Sequence, residues 1–211
     1  ANISVSIRIN IDKENIQFVD SLLKTLKKKI PRYKDLLISF GKVTVFTDIC
    51  KSIEGDCLNN ETFSDVRLCL YKKVIAYGFD KCKMLMYPRR KHNNCCADYA
   101  NTYVIDVNGF LYKCWNSVGR SEENCGDIFH GSNTKSLHFL KWVQWSPLQF
   151  NKCKNCTFLP ICMGGCPYMS NLNKERAPVC NSVKYNLDKV LAFYYHYLKG
   201  HTWRRCTKHE L

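Results

Sequence analysis

Four cysteines fall within the fourteen residues CKNCTFLPICMGGC, Cys153 to Cys166, with Gly164-Gly165 just before the last. Thiols at this density call for cross-links around which the local chain must fold. A disulfide framework, a zinc site and an iron–sulfur cluster each meet that description. The whole chain holds 14 cysteines in 211 residues, several-fold above ordinary usage. Disulfides would suit a small secreted domain. This chain is long enough for a sizeable core, and its opening ANISVSIRINIDKEN has neither the basic flank nor the apolar centre of a signal peptide. No apolar run reaches membrane-spanning length. The final KHEL resembles a retrieval tetrapeptide only by coincidence. The expected setting is cytoplasmic and reducing, where clustered cysteines serve as metal ligands.

The opening residues alternate strictly, with Ile3, Val5, Ile7 and Ile9 on one face and Ser4, Ser6, Arg8 and Asn10 on the other. Period two is the mark of a half-buried strand. Asp12 is placed to cap a helix whose apolar stripe is Ile16, Val19, Leu23 and Leu26, ending at Lys27-Lys28-Lys29 and Pro31. A second strand is expected within 36–46, then a loop with Gly55 and a helix over 61–77. Strand, helix, strand makes a β/α unit. In an α/β barrel its polar face, with Arg8 and Asn10, would point toward the ligand end. Periodicity fades after Gly78, where a domain boundary is expected (1–78 and 79–211). Further on, NTYVIDVNGFLYKCW reads as a β-hairpin. Helices are expected near 136–145 and over 181–199, the latter stopped by Gly200. The predicted class is α/β followed by an irregular, Cys-rich α+β part.

In the second half, C-x2-C-x5-C-x3-C spans Cys153 to Cys166, Cys114 follows Gly109 by five residues, and Cys180 precedes the closing helix. One zinc ion would close with two C-x2-C pairs or with Cys/His pairs, yet a single C-x2-C is present and no H-x3–5-H follows it. An iron–sulfur cluster accepts longer, looser spacings and favours small residues where backbone must come near inorganic sulfide. Gly164-Gly165 would serve that approach, or would simply make a tight turn. Cys50, Cys57, Cys69 and Cys206 show no metal spacing and are expected to be ordinary thiols.

Taken together, Cys95, Gly109, Cys114, Cys153, Cys156, Cys162, Gly164, Gly165, Cys166 and Cys180 resemble the seven-cysteine signature of the SPASM domain. That domain is the C-terminal extension of radical S-adenosylmethionine (radical SAM) enzymes that modify peptides and proteins. VIDVNGFLYKCW and CxFLPxCxGGCP are also typical of the family. The resemblance implies two auxiliary [4Fe–4S] clusters. One would take Cys95, Cys114 and Cys166, its fourth iron open or met by Cys125, Cys96 or Cys82, since Asn101 stands where some members place a fourth cysteine. The other would take Cys153, Cys156, Cys162 and Cys180. Residues 1–78 would be the tail of the radical SAM partial barrel, with Arg8 and Asn10 on its S-adenosylmethionine side. Residues 79–211 would be the SPASM domain, with its hairpin and C-terminal helix.

The family's radical-generating cluster uses C-x3-C-x2-C, and no such motif occurs here. The third [4Fe–4S] cluster and S-adenosylmethionine would belong to a longer parent enzyme, and this chain alone would be inactive. Expected partners are a peptide substrate and an electron donor such as a flavodoxin or ferredoxin. The parent would install a thioether or carbon–carbon crosslink on a ribosomal peptide. The formal charge of +14 would offset anionic clusters and favour an acidic peptide. The competing reading is a basic, zinc-binding, non-enzymatic module for nucleic acid. No basic stripe interleaved with aromatics supports it, and neither membrane nor nucleic-acid partners are expected.

Overall fold

A computed structural model describes residues 4–46, 48–82, 85–93, 95–172 and 177–200. The chain divides into two compact units, residues 1–88 with 182–211, and residues 89–181. The sequence reading placed its boundary near 78 and kept the closing helix with the second part.

In the first unit, β1 (Ser6–Ile11) and β2 (Leu37–Lys42) pair in parallel, with Ile7 opposite Ile38 and Ile9 opposite Phe40. Parallel neighbours need a crossover, supplied by α1 (Val19–Lys29). Asp12 starts that crossover, its Oδ1 accepting the amides of Glu14 and Asn15 at 3.0 and 2.7 Å. A short 3-10 turn over Asn15–Phe18 then leads into α1. Ile16, Val19 and Leu23 are buried as their spacing predicted. Lys27, Lys28 and Lys29 close the last turn, where cations favour the exposed carbonyls. The stretch expected to be a loop around Gly55 is wound into 3-10 turns over Asp48–Asp56.

α2 (Asn60–Ala76) starts at Asn59, whose Oδ1 accepts the Thr62 amide at 2.7 Å. It is buried on most sides, including Phe63, Val66, Leu70 and Val74. In the second unit, β3 (Val104–Ile105) and β4 (Leu111–Tyr112) pair antiparallel, as do β5 (Gly126–Asp127) and β6 (Gly131–Ser132). A bridge between Phe110 and Asp127 links these two ribbons. Then come α3 (Leu137–Val143), capped by Ser136, and the short helices α4 (Asn151–Lys154), α5 (Leu159–Cys162) and α6 (Pro167–Leu172).

α7 (Val183–Leu198) returns to the first unit. Val190, Phe193 and Tyr194 join its core. Polar ties fix its register. Asn186 donates to the Ser64 carbonyl at 2.6 Å, Lys189 pairs with Asp65 at 2.8 Å, and the Tyr194 hydroxyl accepts the Met86 amide at 3.1 Å. Buried Asn186 breaks the helical backbone, with φ −148° and ψ 28°. No helix among the described residues is long and apolar enough to cross a membrane.

Candidate cysteine centres

Two groups of thiols form in the second unit, and short polar ties explain how. Tyr168, two residues past Cys166, donates its hydroxyl proton to the carbonyl of Asn116, two residues past Cys114, at 3.3 Å. This ties the Cys114 turn to the Cys166 turn. Ser170 reaches the Ala177 carbonyl at 3.0 Å, drawing the segment before Cys180 toward α6. The Lys91 amide donates to the Pro160 carbonyl at 2.9 Å, bringing the segment around Lys91 beside α5.

The charges felt by the thiols report the grouping. Burial pushes Cys153 above the usual thiol range, and negative charge on Cys162, Cys180 and Cys156 adds to the effect. Burial likewise raises Cys95, to about 11, opposed by the Ala97 amide and reinforced by Cys96, Asp98 and Cys166. Cys114 is raised by burial, relieved by the Asn116 amide and pushed up further by Cys166 and Cys96. The thiols near Cys153 are therefore those of Cys156, Cys162 and Cys180. Those near Cys95 and Cys114 are Cys166 and Cys96.

The other candidates lie elsewhere. Cys82 is buried in the first unit, where its sulfur accepts the Ile38 amide at 3.1 Å and its proton faces the Leu36 and Ile38 carbonyls at 3.7 and 3.6 Å. Burial raises its pKa. Cys125 is fully buried, donates to the Glu123 carbonyl at 3.6 Å, and has Lys113, Glu123 and Lys141 as its charged neighbours. Cys57 donates to the Ile53 carbonyl at 3.4 Å. Cys69, expected to be an ordinary thiol, is disulfide-bonded. Cys206 lies outside the described residues, as do the Arg204-Arg205 pair and the KHEL terminus.

Gly164-Gly165 lies in a tight turn, one of the two expectations for the pair. Met163, Gly164 and Gly165 all adopt left-handed backbone, with φ of 50°, 81° and 77°. A Cβ on Gly165 would overlap the backbone carbonyl oxygen of Val179. One on Gly164 would lie 2.7 Å from both Pro147 and Trp145. Gly165 thus lets the chain before Cys166 press directly on the backbone of the residue before Cys180, while Gly164 makes room for the side chains of Pro147 and Trp145.

A cavity of about 260 Å³ opens beside the Cys95 turn, walled by Asn93, Asp98, Tyr99, Trp145, Pro147 and Met163 among others. On β1, Arg8 donates from Nε to Asn10 Oδ1 at 3.0 Å, and its guanidinium covers the backbone of Gly41 on β2. Both side chains are on the face of the sheet away from the buried Ile11, Ile38 and Phe40. Among the described residues, no three His, Cys, Asp or Glu side chains are arranged to hold a single metal ion.

Parallel strands joined through a helix, followed by a Cys-rich unit of short ribbons and turns, give a mixed α/β fold shared with solved structures of another protein. The structures concerned are of anSMEcpe. Native anSMEcpe with bound AdoMet and Kp18Cys peptide matches 92% of this chain and 56% of its own, at a TM-score of 0.56 and 16% identity. Native anSMEcpe with bound AdoMet matches 92% of this chain and 55% of its own, at a TM-score of 0.56 and 17% identity. The likeness is one of fold, and this chain spans just over half the length of those structures. No protein-family model matches the chain, and no curated protein matches it in sequence.

Proposed function

We propose that this chain is the auxiliary-cluster part of a radical SAM/SPASM enzyme that modifies a ribosomally made peptide. Cys153, Cys156, Cys162 and Cys180 would hold one [4Fe–4S] cluster, and Cys95, Cys114 and Cys166 the other. The observation that carries the reading is the separation of these thiols into two groups, in keeping with the two ligand sets that the family resemblance implies. The donors suit such a centre. Each group is thiol-only, partly buried and crowded enough that its charges repel, a cost that bound iron relieves. Backbone amides of Ala97 and Asn116 already face Cys95 and Cys114 and would steady their thiolates. A four-iron core is also larger than one ion. Thiols that share a field without converging on a point fit it better than they fit zinc.

For the fourth position of the first centre we choose Cys96. It alone of Cys82, Cys96 and Cys125 shares the field of both Cys95 and Cys114. Bound clusters would supply one-electron transfer. The chain's own residues would seat them, keep water from the thiolates, and receive peptide at the cavity beside Asp98 and Trp145. Arg8 and Asn10 would face S-adenosylmethionine in a complete enzyme, of which residues 1–78 would be the barrel tail and 79–211 the SPASM domain. A flavodoxin or ferredoxin would deliver electrons, and the surplus of basic residues would draw an acidic peptide.

Anaerobic purification followed by iron, sulfide and zinc analysis and Mössbauer spectroscopy tests the reading. About eight irons per chain are expected for two such clusters. Fewer than about four, with stoichiometric zinc instead, would sink it.

A further inference from the structure

Among the described residues of the second unit, Lys113 is the one basic side chain enclosed in the core, at 2% exposure. Its ammonium donates to the carbonyls of Tyr99 and Thr102 at 2.5 and 2.7 Å and to that of Ala100 at 3.4 Å. Tyr103 and Phe139, stacked with centroids 6.3 Å apart, present their faces to it at 4.7 and 5.2 Å. An ammonium has three protons, and here three carbonyls take them. The rings occupy remaining directions, where a cation is still favoured. The arrangement is complete without water.

Its place in the chain gives it a consequence. The three carbonyls belong to the turn that follows Cys95 and Cys96, and Lys113 immediately precedes Cys114. One ammonium therefore fastens the backbone on one side of the first thiol group to the backbone on the other. Cys96, Asp98 and Cys125 lie within its electrostatic reach.

We propose that Lys113 is a positioning residue that staples the Tyr99–Thr102 turn to the Cys114 strand, fixing the spacing of Cys95, Cys96 and Cys114 and placing a buried positive charge beside the cluster they hold. The stapling half stands on the hydrogen bonds alone, and the charge half rests on the proposed function. Truncation to an apolar side chain would take the shared donor from all three carbonyls and so release the turn from the residue before Cys114.

The test uses the full chain with Lys113→Met, which keeps the length and removes the donors, and Lys113→Arg, which keeps the charge. Tyr103→Leu, which keeps the ammonium but removes one ring, serves if Lys113→Met fails to fold. In metal-free protein, amide hydrogen exchange across residues 95–103 should speed up at least tenfold in Lys113→Met. The Arg variant should recover part of this protection, Tyr103→Leu should show a smaller rise, and α2 should stay unchanged. After anaerobic reconstitution, an EPR-monitored redox titration should show one cluster moved to a more negative potential in Lys113→Met, restored in the Arg variant, with the second cluster unmoved. Unchanged exchange over 95–103 overturns the staple. Raised exchange with both potentials at the wild-type value, or shifted equally, overturns the charge role. A wild-type chain that takes up no iron overturns the proposed function and the charge role with it, while the exchange arm still judges the staple.

Discussion

Replacing Gly165 by alanine puts the packing of the Cys166 segment against the Cys180 segment under direct stress. The added methyl would occupy the position of the Val179 carbonyl oxygen, a backbone atom with no rotamer to turn away. The residue would also have to hold φ near +77°. Left-handed backbone costs an alanine about 1–2 kcal/mol. Moving a backbone segment to admit a methyl costs about 1–3 kcal/mol more. The sum, about 2–5 kcal/mol, is a large share of a domain's stability. At roughly 4–8 °C per kcal/mol for a unit of this size, the second unit should melt at least about 8 °C lower. Gly119→Ala separates the two contributions, because Gly119 shares the positive φ, at 83°, but has nothing within 4 Å of a Cβ. It should cost only the backbone share. Differential scanning calorimetry of both variants, with iron analysis after reconstitution, reads the outcome. Gly165→Ala should also lose iron, since Cys180 follows Val179 directly. Equal melting shifts for the two variants would refute the claim that Gly165 serves backbone contact.

Cys82→Ala should leave the iron count of the reconstituted chain unchanged, because its sulfur is committed to the Ile38 amide, whereas Cys96→Ala should alter the EPR signal of one cluster only. Asn59→Ala removes the acceptor of the Thr62 amide and should destabilise the first unit by about 1 kcal/mol in urea titrations, with Asn59→Ser largely restoring it. Asp20 is held below its ordinary value of 3.8 chiefly by its hydrogen bond from Lys24, with Tyr77 assisting against the cost of burial. Its folded value being lower than its unfolded one, the stabilisation is complete above 3.8 and fades as pH falls from there through the folded value. Asp20→Asn should therefore flatten the acid dependence of unfolding between about pH 5 and 2, followed by circular dichroism.

Much of the first unit was legible because its signals are local. Alternation set the faces of β1, and Asp12 and Pro31 carry cap or stop chemistry that depends on nearest neighbours. The turns of 48–56 were not legible, since neither a strand nor a helix period runs through them. Nor was the return of α7 to the first unit. Its stripe of Val190 and Tyr194 says that a face is buried, not against what, and the deciding partners Ser64, Asp65 and Met86 lie over a hundred residues away. Lys113 was invisible in the sequence, since a lone lysine in a hairpin reads as solvated. Only the convergence of three carbonyls from eleven to fourteen residues upstream reveals it. For Gly164-Gly165 the sequence left sulfide approach and a tight turn both open, because it shows that room is needed without showing what fills it.

The discontinuity of the first unit sets an order of events during synthesis. Its core includes Val190, Phe193 and Tyr194, which leave the ribosome only after every residue from 89 to 181. The cysteine-bearing unit can therefore close while the sheet and helices made before it still wait for their last wall. Domains tend to fold as they emerge, so here the later-made unit finishes first. Iron delivery to the nascent chain would then precede completion of the body that carries it.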